Sequence, residues 1–258
     1  MLHDITPMVL TFNEVNNVKR TIDKLRWAAR ILIIDSGSTD GTIEELARYP
    51  QVDIVQRPFD SFAAQCNFGL ARVRTTWVLS LDADYVLSDE LVEELRSLEE
   101  ADGVAGYRIS FVYCIYGRPL RGTLYPPRTA LYRVRGASYV NEGHGHRVHV
   151  AGETRQLRGA IYHDDRKPLS RWLIAQQRYA ALEADHLLHT RSKTLSASDR
   201  LRRVGWPAPI LVFFYVLLVK RCLLDGWSGW FYALQRLLAE CMIAMELIDR
   251  RLRSTLTE

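Results

Sequence analysis

Four short apolar runs alternate with helical patterns through the first hundred residues, and this alternation constrains the fold more than any other feature. The strands it predicts cover residues 8–12, 30–35, 53–56 and 77–81. The helices it predicts cover residues 16–25, 42–49, 62–72 and 89–98. Strands joined through helices form a mostly parallel sheet with right-handed crossovers and helices on both faces. The sequence therefore predicts an α/β fold.

The remaining residues predict additions to that sheet and then a helical tail. Strand-like segments at 107–116, 129–135 and 147–150 are separated by Gly and Pro, which favours antiparallel strands. Residues recur at helical spacing at 169–189, and a polar linker then leads into an apolar stretch at 205–219. A break at 225–229 precedes an amphipathic helix predicted over 230–253.

Composition excludes several classes of protein. The 258 residues are 48% hydrophobic and 25% charged, as in folded proteins and unlike disordered or fibrous chains. The four cysteines form no CxxC pair, so neither a disulfide framework nor a zinc cluster of the usual spacing is expected. Met1 to Asp4 lead into an apolar run without a basic leader. We therefore expect a reducing, cytoplasmic location.

The net charge of +4 comes entirely from the tail. Residues 200–258 contain 9 basic and 5 acidic residues, together with three of the six tryptophans. The uncharged stretch 205–219 is shorter than the roughly 20 residues that span a bilayer. This pattern favours peripheral contact with membrane lipid, while a buried helix pair or a homo-oligomer interface stays open. Basic residues beside apolar ones, without a basic groove, predict no nucleic-acid binding.

Polar residues follow three of the predicted strands, at 11–14, 35–42 and 82–84. Ligands of open α/β sheets bind at the carboxyl ends of the strands, so these residues mark the expected site. The sequence contains neither GxGxxG after the first strand nor GxxxxGK[ST]. Dinucleotide-dependent redox chemistry and P-loop phosphoryl transfer are therefore not expected.

Asp82 and Asp84 lie two residues apart at the end of an apolar strand. Two carboxylates in this position can hold Mg²⁺ or Mn²⁺, which commonly bridge protein carboxylates to substrate phosphates. The alternative is a turn that precedes a helix cap at Ser88.

Four motifs follow one another along the chain: Thr11-Phe12-Asn13-Glu14, the segment from Asp35 to Thr42 (DSGSTDGT), the segment from Ala64 to Leu70 (AQCNFGL), and Leu81-Asp82-Ala83-Asp84. In this order they resemble the motifs of glycosyltransferase family 2, whose members are inverting nucleotide-sugar transferases with the GT-A fold. Less specifically, Ile161-Tyr162-His163 and the segment from Leu223 to Gly229 resemble the branch that contains lipopolysaccharide-core glucosyltransferases. The resemblance covers most of the chain.

The resemblance implies a GT-A catalytic domain at 1–190, with a nucleotide-binding half at 1–100 and an acceptor-binding half at 101–190. Residues 191–258 would be a linker and a helical region that associates with membrane or with a second copy. The implied metal ligands for Mn²⁺ or Mg²⁺ are Asp82, Asp84 and His163. The expected nucleotide-sugar-binding residues are Thr11, Asn13, Glu14, Asp35, Gln65, Asn67, Asp82, Ala83 and Arg166.

Several of these residues have a second interpretation. Asp35 can accept a hydrogen bond from uracil or ribose, whereas the residues after it fit a turn and a helix cap. Glu14 either contacts the ribose or starts a helix. Gln65 and Asn67 do not point the same way on a helix, so one is expected to face the nucleotide loop and the other to pack. Arg166 either neutralises diphosphate charge or is solvated.

By resemblance, Glu142 is the catalytic base, and Asp164 and Asp165 are its rivals, because Asn141-Glu142 replaces the usual Glu-Asp pair. His144, His146 and His149 form an HxHxxH sequence, but strand alternation places His149 on the opposite face and disfavours a three-histidine metal site.

The expected activity is transfer of a hexose from a UDP-sugar, with UDP-glucose preferred, to a hydroxyl of a saccharide or glycolipid in cell-envelope glycan synthesis. The expected place is the cytoplasmic face of the inner membrane. A polyprenyl-phosphate acceptor is the alternative. A non-catalytic nucleotide-sugar-binding or membrane scaffold protein is an alternative from another class.

Overall fold

The structure, a computed structural model, describes residues 1–99, 102–142, 145–191 and 193–255, with only the backbone described at 142, 145 and 146. The chain divides into two compact units. The first comprises Met1–Pro119 and Tyr125–Lys167, and the second comprises Leu120–Leu124 and Pro168–Glu258. The catalytic-domain boundary expected at residue 190 stays a prediction, and helix 169–189 lies within the second unit.

The first unit is built of strands and helices that alternate through its N-terminal half. Its strands are β1 (Ile5–Thr11), β2 (Ile31–Asp35), β3 (Val52–Gln56), β4 (Trp77–Asp82), β5 (Tyr85–Leu87), β6 (Val104–Ile115), β7 (Arg118–Pro119), β8 (Arg128–Arg133), β9 (Ser138–Glu142), β10 (Gly145–His149) and β11 (Glu153–His163). Its helices are α1 (Val18–Asp23), α2 (Thr42–Leu46), α3 (Phe62–Leu70) and α4 (Asp89–Ser97).

Among the described residues, nine strands form one sheet in the order β3-β2-β1-β4-β8-β6-β11-β5, with β7 paired to β6. Strands β3, β2, β1 and β4 are parallel, and so are β6 and β11. Strand β8 is antiparallel to β4 and to β6, and β9 and β10 form a separate antiparallel hairpin. The predicted mostly parallel sheet with antiparallel additions is therefore confirmed.

Apolar residues of the parallel strands alternate between two cores, one on each face of the sheet. Ile31 and Ile33 pack with Val18 of α1 and Leu91 of α4, while Leu32 of the same strand packs on the other face with helix α3. Because both faces are covered, the strands are apolar along their whole length. Polar residues appear where the strands end.

The second unit is helical. Its helices are α5 (Leu169–His189), α6 (Ala197–Val204), α7 (Pro207–Phe214) and α8 (Gly226–Thr255), with a π turn at Tyr215–Val219 and a 3-10 turn at Cys222–Asp225. Ala184 and Leu187 of α5 pack against Leu247 of α8 in a buried cluster. The Arg202 guanidinium donates to both carboxylate oxygens of the buried Glu240, which ties α6 to α8.

The predicted break at 225–229 is displaced, because α8 starts at Gly226 and runs through Gly229. A Cβ built at Gly229 would lie 1.7 Å from the carbonyl oxygen of Cys222. The glycine therefore allows the preceding turn to pack on the helix, and it does not end the helix. Strand β11, which ends at His163, extends back to Glu153 along β6.

Within the described ranges, no single helix is long and apolar enough to cross a membrane. The pair Pro207–Val219 and Cys222–Thr255, bent by 69°, passes that test of length and composition only when taken together.

Candidate functional site

The register of the parallel strands brings the polar motifs to one edge of the sheet. Thr11, the last residue of β1, pairs with Asp35, the last residue of β2. On the other side of β1, Leu10 pairs with Asp82 at the end of β4. The side chains that the sequence places at strand ends are therefore neighbours in space, as the rule for open α/β sheets requires.

Asp35 organises the loop that follows β2. Its buried carboxylate accepts hydrogen bonds from the Thr11 hydroxyl (2.9 Å), from the backbone N–H groups of Gly37 and Ser38 (2.9 Å each) and from the Ser38 hydroxyl. A carboxylate offers about four acceptor positions, and these four bonds use them. Asp35 therefore shapes the turn, and its direct contact with a nucleotide stays a prediction.

Asn13 and Glu14 hold the same loop from the end of β1. The backbone N–H of Asn13 donates to Ser38 Oγ (2.8 Å), and Asn13 Oδ1 accepts from the backbone N–H of Thr39 (2.8 Å). The backbone N–H of Glu14 donates to Thr42 Oγ1 (2.7 Å). Asn13 has φ of 56°, a left-handed conformation that asparagine tolerates better than most residues. The motif at 11–14 and the motif at 35–42 are therefore bound to each other and form one surface.

Gln65 and Asn67 point in different directions from α3. Gln65 is buried, and its Nε2 donates to Ser36 Oγ (2.9 Å) beside the Asp35 turn. Asn67 bonds through both ends of its amide to the backbone of Tyr139 in β9 (2.9 and 3.0 Å). Gln65 thus supports the loop, while Asn67 fastens the β9–β10 hairpin to α3.

Strand β5 turns the chain back after Asp84, so that Asp84 meets the end of β11. Tyr85 pairs with His163, and the Asp84 carbonyl accepts from the backbone N–H of Asp164 (3.0 Å). Ala83 is buried, and its carbonyl accepts from the Thr21 hydroxyl (2.7 Å), which anchors the turn to α1. Three residues give too short a pattern to predict β5 from sequence.

Asp84 and His163 form a buried ion pair, with Oδ2 and Nε2 3.1 Å apart. Burial opposes the ionisation of Asp84, but the charge and hydrogen bond of His163 outweigh burial and lower the pKa of Asp84. Burial likewise opposes protonation of His163, but Asp84 outweighs it and raises the pKa of His163. Each group therefore keeps the other charged.

Three tyrosines surround the His163 ring edge-on, namely Tyr85, Tyr113 and Tyr125, at centroid distances of 5.1, 4.8 and 5.1 Å. The buried Nδ1 of His163 has no hydrogen-bond partner among the described residues. This aromatic environment fixes the ring and leaves Nε2 as the nitrogen directed at Asp84.

Asp82, Asp84 and His163 provide two carboxylates and an imidazole, a donor set that suits Mn²⁺ and, through its oxygens, Mg²⁺. In the part of the chain that the structure describes, no three His, Cys, Asp or Glu side chains are grouped closely enough to hold a metal as they stand. The Asp84–His163 hydrogen bond occupies the atoms that a cation would take. The residues therefore fit a cation that replaces this bond.

Asn17, which the sequence did not single out, connects the β1 loop to the segment after β11. It is completely buried, and its Nδ2 donates to Glu14 Oε2 (2.8 Å) and Asp165 Oδ1 (2.9 Å). Its Oδ1 accepts from the Arg20 guanidinium (2.9 Å) and the backbone N–H of Arg166 (3.0 Å). No local sequence signal predicts the connection to Asp165 and Arg166, because these two partners are almost 150 residues away.

Glu14 forms an ion pair with Lys167, with Oε1 and Nζ 2.5 Å apart. Burial and the nearby charge of Asp84 raise the pKa of Glu14 to about 7, although Lys167 and Asn17 oppose the increase. For Lys167, Glu14 outweighs the effect of burial, and the pKa is raised. An ammonium group therefore lies beside a carboxyl group that titrates near neutral pH.

Asp164 and Asp165, the rival candidates for the catalytic base, already accept hydrogen bonds within the fold. The buried Asp164 accepts from the backbone N–H of Gly117 (2.8 Å) and pairs with Arg166 (2.8 Å). Asp165 Oδ1 accepts from the backbone N–H of Lys167 (3.0 Å) as well as from Asn17. The side chain of Glu142 and all of His144 lie outside the described residues, so the role of Glu142 and the HxHxxH interpretation stay predictions.

Residues 8–155 match the model of the family described as Glycosyl transferase family 2. The chain is 27% identical over 197 residues to the lipopolysaccharide core biosynthesis glycosyltransferase LpsC of Rhizobium meliloti, covering 70% of each chain. It is 23% identical over 241 residues to an uncharacterised glycosyltransferase of Rickettsia bellii, covering 87% of this chain and 79% of the other.

Among solved structures, the chain is similar to S. aureus TarS 1–349 in complex with UDP-GlcNAc. The TM-score is 0.50 at 14% sequence identity, with 97% of this chain and 92% of the other covered. This likeness concerns the fold, and together with the family match it establishes the predicted GT-A architecture.

Removing the amide of Asn17 tests its connecting role. We expect Asn17→Ala to lower the free energy of unfolding by about 1 to 3 kcal/mol, because it leaves buried partners without a hydrogen bond. The matched control is Asn16→Ala, since Asn16 is exposed. Chemical denaturation measures both. Equal stability of the two variants would contradict the role.

The pKa of Glu14 predicts a pH-dependent stability. The native chain holds the Glu14 proton up to about pH 7, whereas the unfolded chain releases it near 4.5, so stability falls as pH rises through this window. We expect Glu14→Gln to remove this pH-dependent decrease in the free energy of unfolding, which is on the order of 3 kcal/mol. Denaturation curves from pH 4 to 8 test this, with the exposed Glu44→Gln as control. Parallel curves for wild type and Glu14→Gln would contradict it.

Proposed function

Because the chain belongs to glycosyl transferase family 2, we propose that it transfers a hexose from a UDP-sugar, with UDP-glucose as the preferred donor, to an acceptor hydroxyl with inversion at the anomeric carbon. The acceptor is a saccharide or glycolipid of cell-envelope glycan, of the lipopolysaccharide type. A relative named for lipopolysaccharide core biosynthesis supports this acceptor class, and a structure of the same fold holding UDP-GlcNAc supports a UDP-sugar donor.

The observation that carries the proposal is the contact of Asp84 with His163, 3.1 Å apart, at the edge where Asp35 organises the neighbouring loop. Burying an imidazole and a carboxylate where they join two separate strands costs free energy, because both groups lose their contact with water. Their position at the carboxyl ends of the strands, beside Asp82, is where a nucleotide diphosphate and its cation bind in such sheets.

The proposed chemistry divides among the residues of this edge. The loop between Asp35 and Thr42, held by Asn13 and Gln65, receives the nucleoside. Asp82, Asp84 and His163 would hold Mn²⁺ or Mg²⁺, which when bound neutralises charge on the diphosphate and so favours departure of UDP. Lys167 and Arg166 lie along the same edge, paired with Glu14 and Asp164, and we expect them to stabilise the negative charge that develops on the leaving group.

A carboxylate base deprotonates the acceptor hydroxyl as it attacks the anomeric carbon from the face opposite UDP. Glu142 at the end of β9 is proposed for this role, because Asp164 and Asp165 already accept hydrogen bonds within the fold. A single displacement inverts the anomeric configuration and leaves no sugar attached to the protein.

A polyprenyl phosphate is the second candidate acceptor, favoured by the large exposed apolar side chains of the second unit. A phosphate oxygen is already ionised at neutral pH and needs no general base. For either acceptor, we propose that the protein acts at the cytoplasmic face of the inner membrane.

Replacing Asp84 tests the proposed cation site. We expect Asp84→Asn to abolish Mn²⁺-dependent UDP binding in calorimetry and to lower the rate of UDP release from UDP-glucose by at least about 100-fold, because charge that stabilises the leaving group is lost. Asp89→Asn is the control, since Asp89 is exposed at the start of α4. Metal-dependent turnover that survives in Asp84→Asn would contradict the site.

Replacing Glu142 distinguishes the acceptor classes. With a hydroxyl acceptor, Glu142→Gln is expected to lower kcat by about 100-fold or more while the Kd for UDP stays the same, because only proton transfer is lost. Asp165→Asn is the companion variant for the rival base. An unaltered rate for Glu142→Gln would contradict the base assignment and would favour polyprenyl phosphate.

A further inference from the structure

We propose that the surface formed by residues 206–230 of the second unit, here called the apolar crest, inserts into the interface of a bilayer containing anionic lipid. This inference deepens the membrane location given above and names the surface responsible.

The apolar crest has its large apolar side chains on the outside. Ala208, Val216 and Leu217 are buried, whereas many larger side chains of the same segment are exposed. The exposed set is Trp206, Ile210, Leu211, Phe214, Tyr215, Leu218, Val219, Leu223, Leu224, Trp227 and Trp230. Trp227 is 88% exposed and Trp206 is 70% exposed. A helix that covered a protein core would instead bury its large apolar side chains.

Residues 206, 210, 214 and 218 recur every four positions, so they share one face of the helix and its π turn. Residues 211, 215 and 219 form the adjoining row. Together they make a wide, continuous apolar face. Exposed patches of this kind mark contact with membranes or with other proteins.

Charge favours lipid as the occupant. Within the apolar crest Lys220 and Arg221 are basic, and the one acidic residue, Asp225, is paired with Arg121 (3.2 Å). Lys220 and Arg221 directly follow the apolar face, and the Lys220 ammonium lies 5.7 Å from the Tyr215 ring centroid. Tryptophan and tyrosine next to lysine and arginine are characteristic of the membrane–water interface. A second copy of the same surface would bring like charges together.

The dimensions favour shallow insertion over spanning. The eight-residue α7 and the five-residue π turn extend about 20 Å at 1.5 Å per residue, against roughly 30 Å of hydrocarbon. The chain then bends by 69° into the next helix. Such a segment lies in the plane of the interface with its apolar face inserted.

Flotation of the full-length protein with vesicles tests the proposal. We expect it to float with phosphatidylcholine vesicles containing 30% phosphatidylglycerol, to float less as salt is raised, and to bind pure phosphatidylcholine weakly. Tryptophan emission should shift to the blue on binding, and brominated lipid should quench it.

Matched variants locate the contact. Lys220→Gln with Arg221→Gln should weaken binding about 25-fold, because each basic residue near such a surface contributes about 1 kcal/mol, or about fivefold. Lys193→Gln, which changes a basic residue outside the crest, should leave binding unchanged. Leu218→Glu should abolish binding, while Met245→Glu, at an exposed apolar residue of α8, should not.

Three results would overturn the proposal. They are absence of vesicle binding at low salt, equal loss of binding in the crest and control variants, and a soluble dimer that Leu218→Glu dissociates, which would make the crest a subunit interface. UDP binding by each variant, measured without vesicles, separates failure of the membrane contact from failure of the proposed transferase.

Discussion

The contact between Asp84 and His163 is the interaction on which the candidate site depends. It joins the turn after β4 to the end of β11, and the pairing of Tyr85 with His163 fixes the two segments next to each other. A buried carboxylate and imidazole are costly to desolvate, and each stabilises the charged form of the other. The aromatic rings around His163 pack against it edge-on and hold it next to Asp84.

A second set of contacts fixes the same two parts of the chain. Asn17 bonds to Glu14 on one side and to Asp165 on the other, and Lys167 pairs with Glu14. The loop from Asp35 to Thr42, the carboxylates at the end of β4 and the basic residues after β11 therefore form one connected polar layer. Because the carboxyl group of Glu14 titrates near pH 7, the charge of this layer changes close to neutral pH.

The sequence predicted those features that depend on a repeating pattern or on a short local motif. The alternation of strands and helices identified the parallel sheet, and the rule that ligands bind at strand ends located Asp35, Asp82 and Asp84 correctly at one edge. Contacts between distant segments were not predictable: Asn17 looks like any residue at a helix start, and β5 is too short to show a period. Of the four hydrogen bonds to Asp35, the one from the Thr11 hydroxyl likewise depends on the tertiary register of β1 and β2. The role of Gly229 in α8 could not be predicted either, because the atom that it packs against is the backbone carbonyl of Cys222, seven residues earlier.

A crystal structure of the protein with Mn²⁺ and UDP, with anomalous scattering recorded for manganese, would show whether the Asp84–His163 pair opens to bind a cation. We expect one manganese peak bound by Asp84 and His163, with Asp82 bound to it directly or through water, and with the Asp84–His163 hydrogen bond replaced. The uracil and ribose should lie against the loop from Asp35 to Thr42. UDP bound at this edge with Asp84 and His163 still paired, or manganese bound elsewhere, would contradict a cation site at Asp84 and His163.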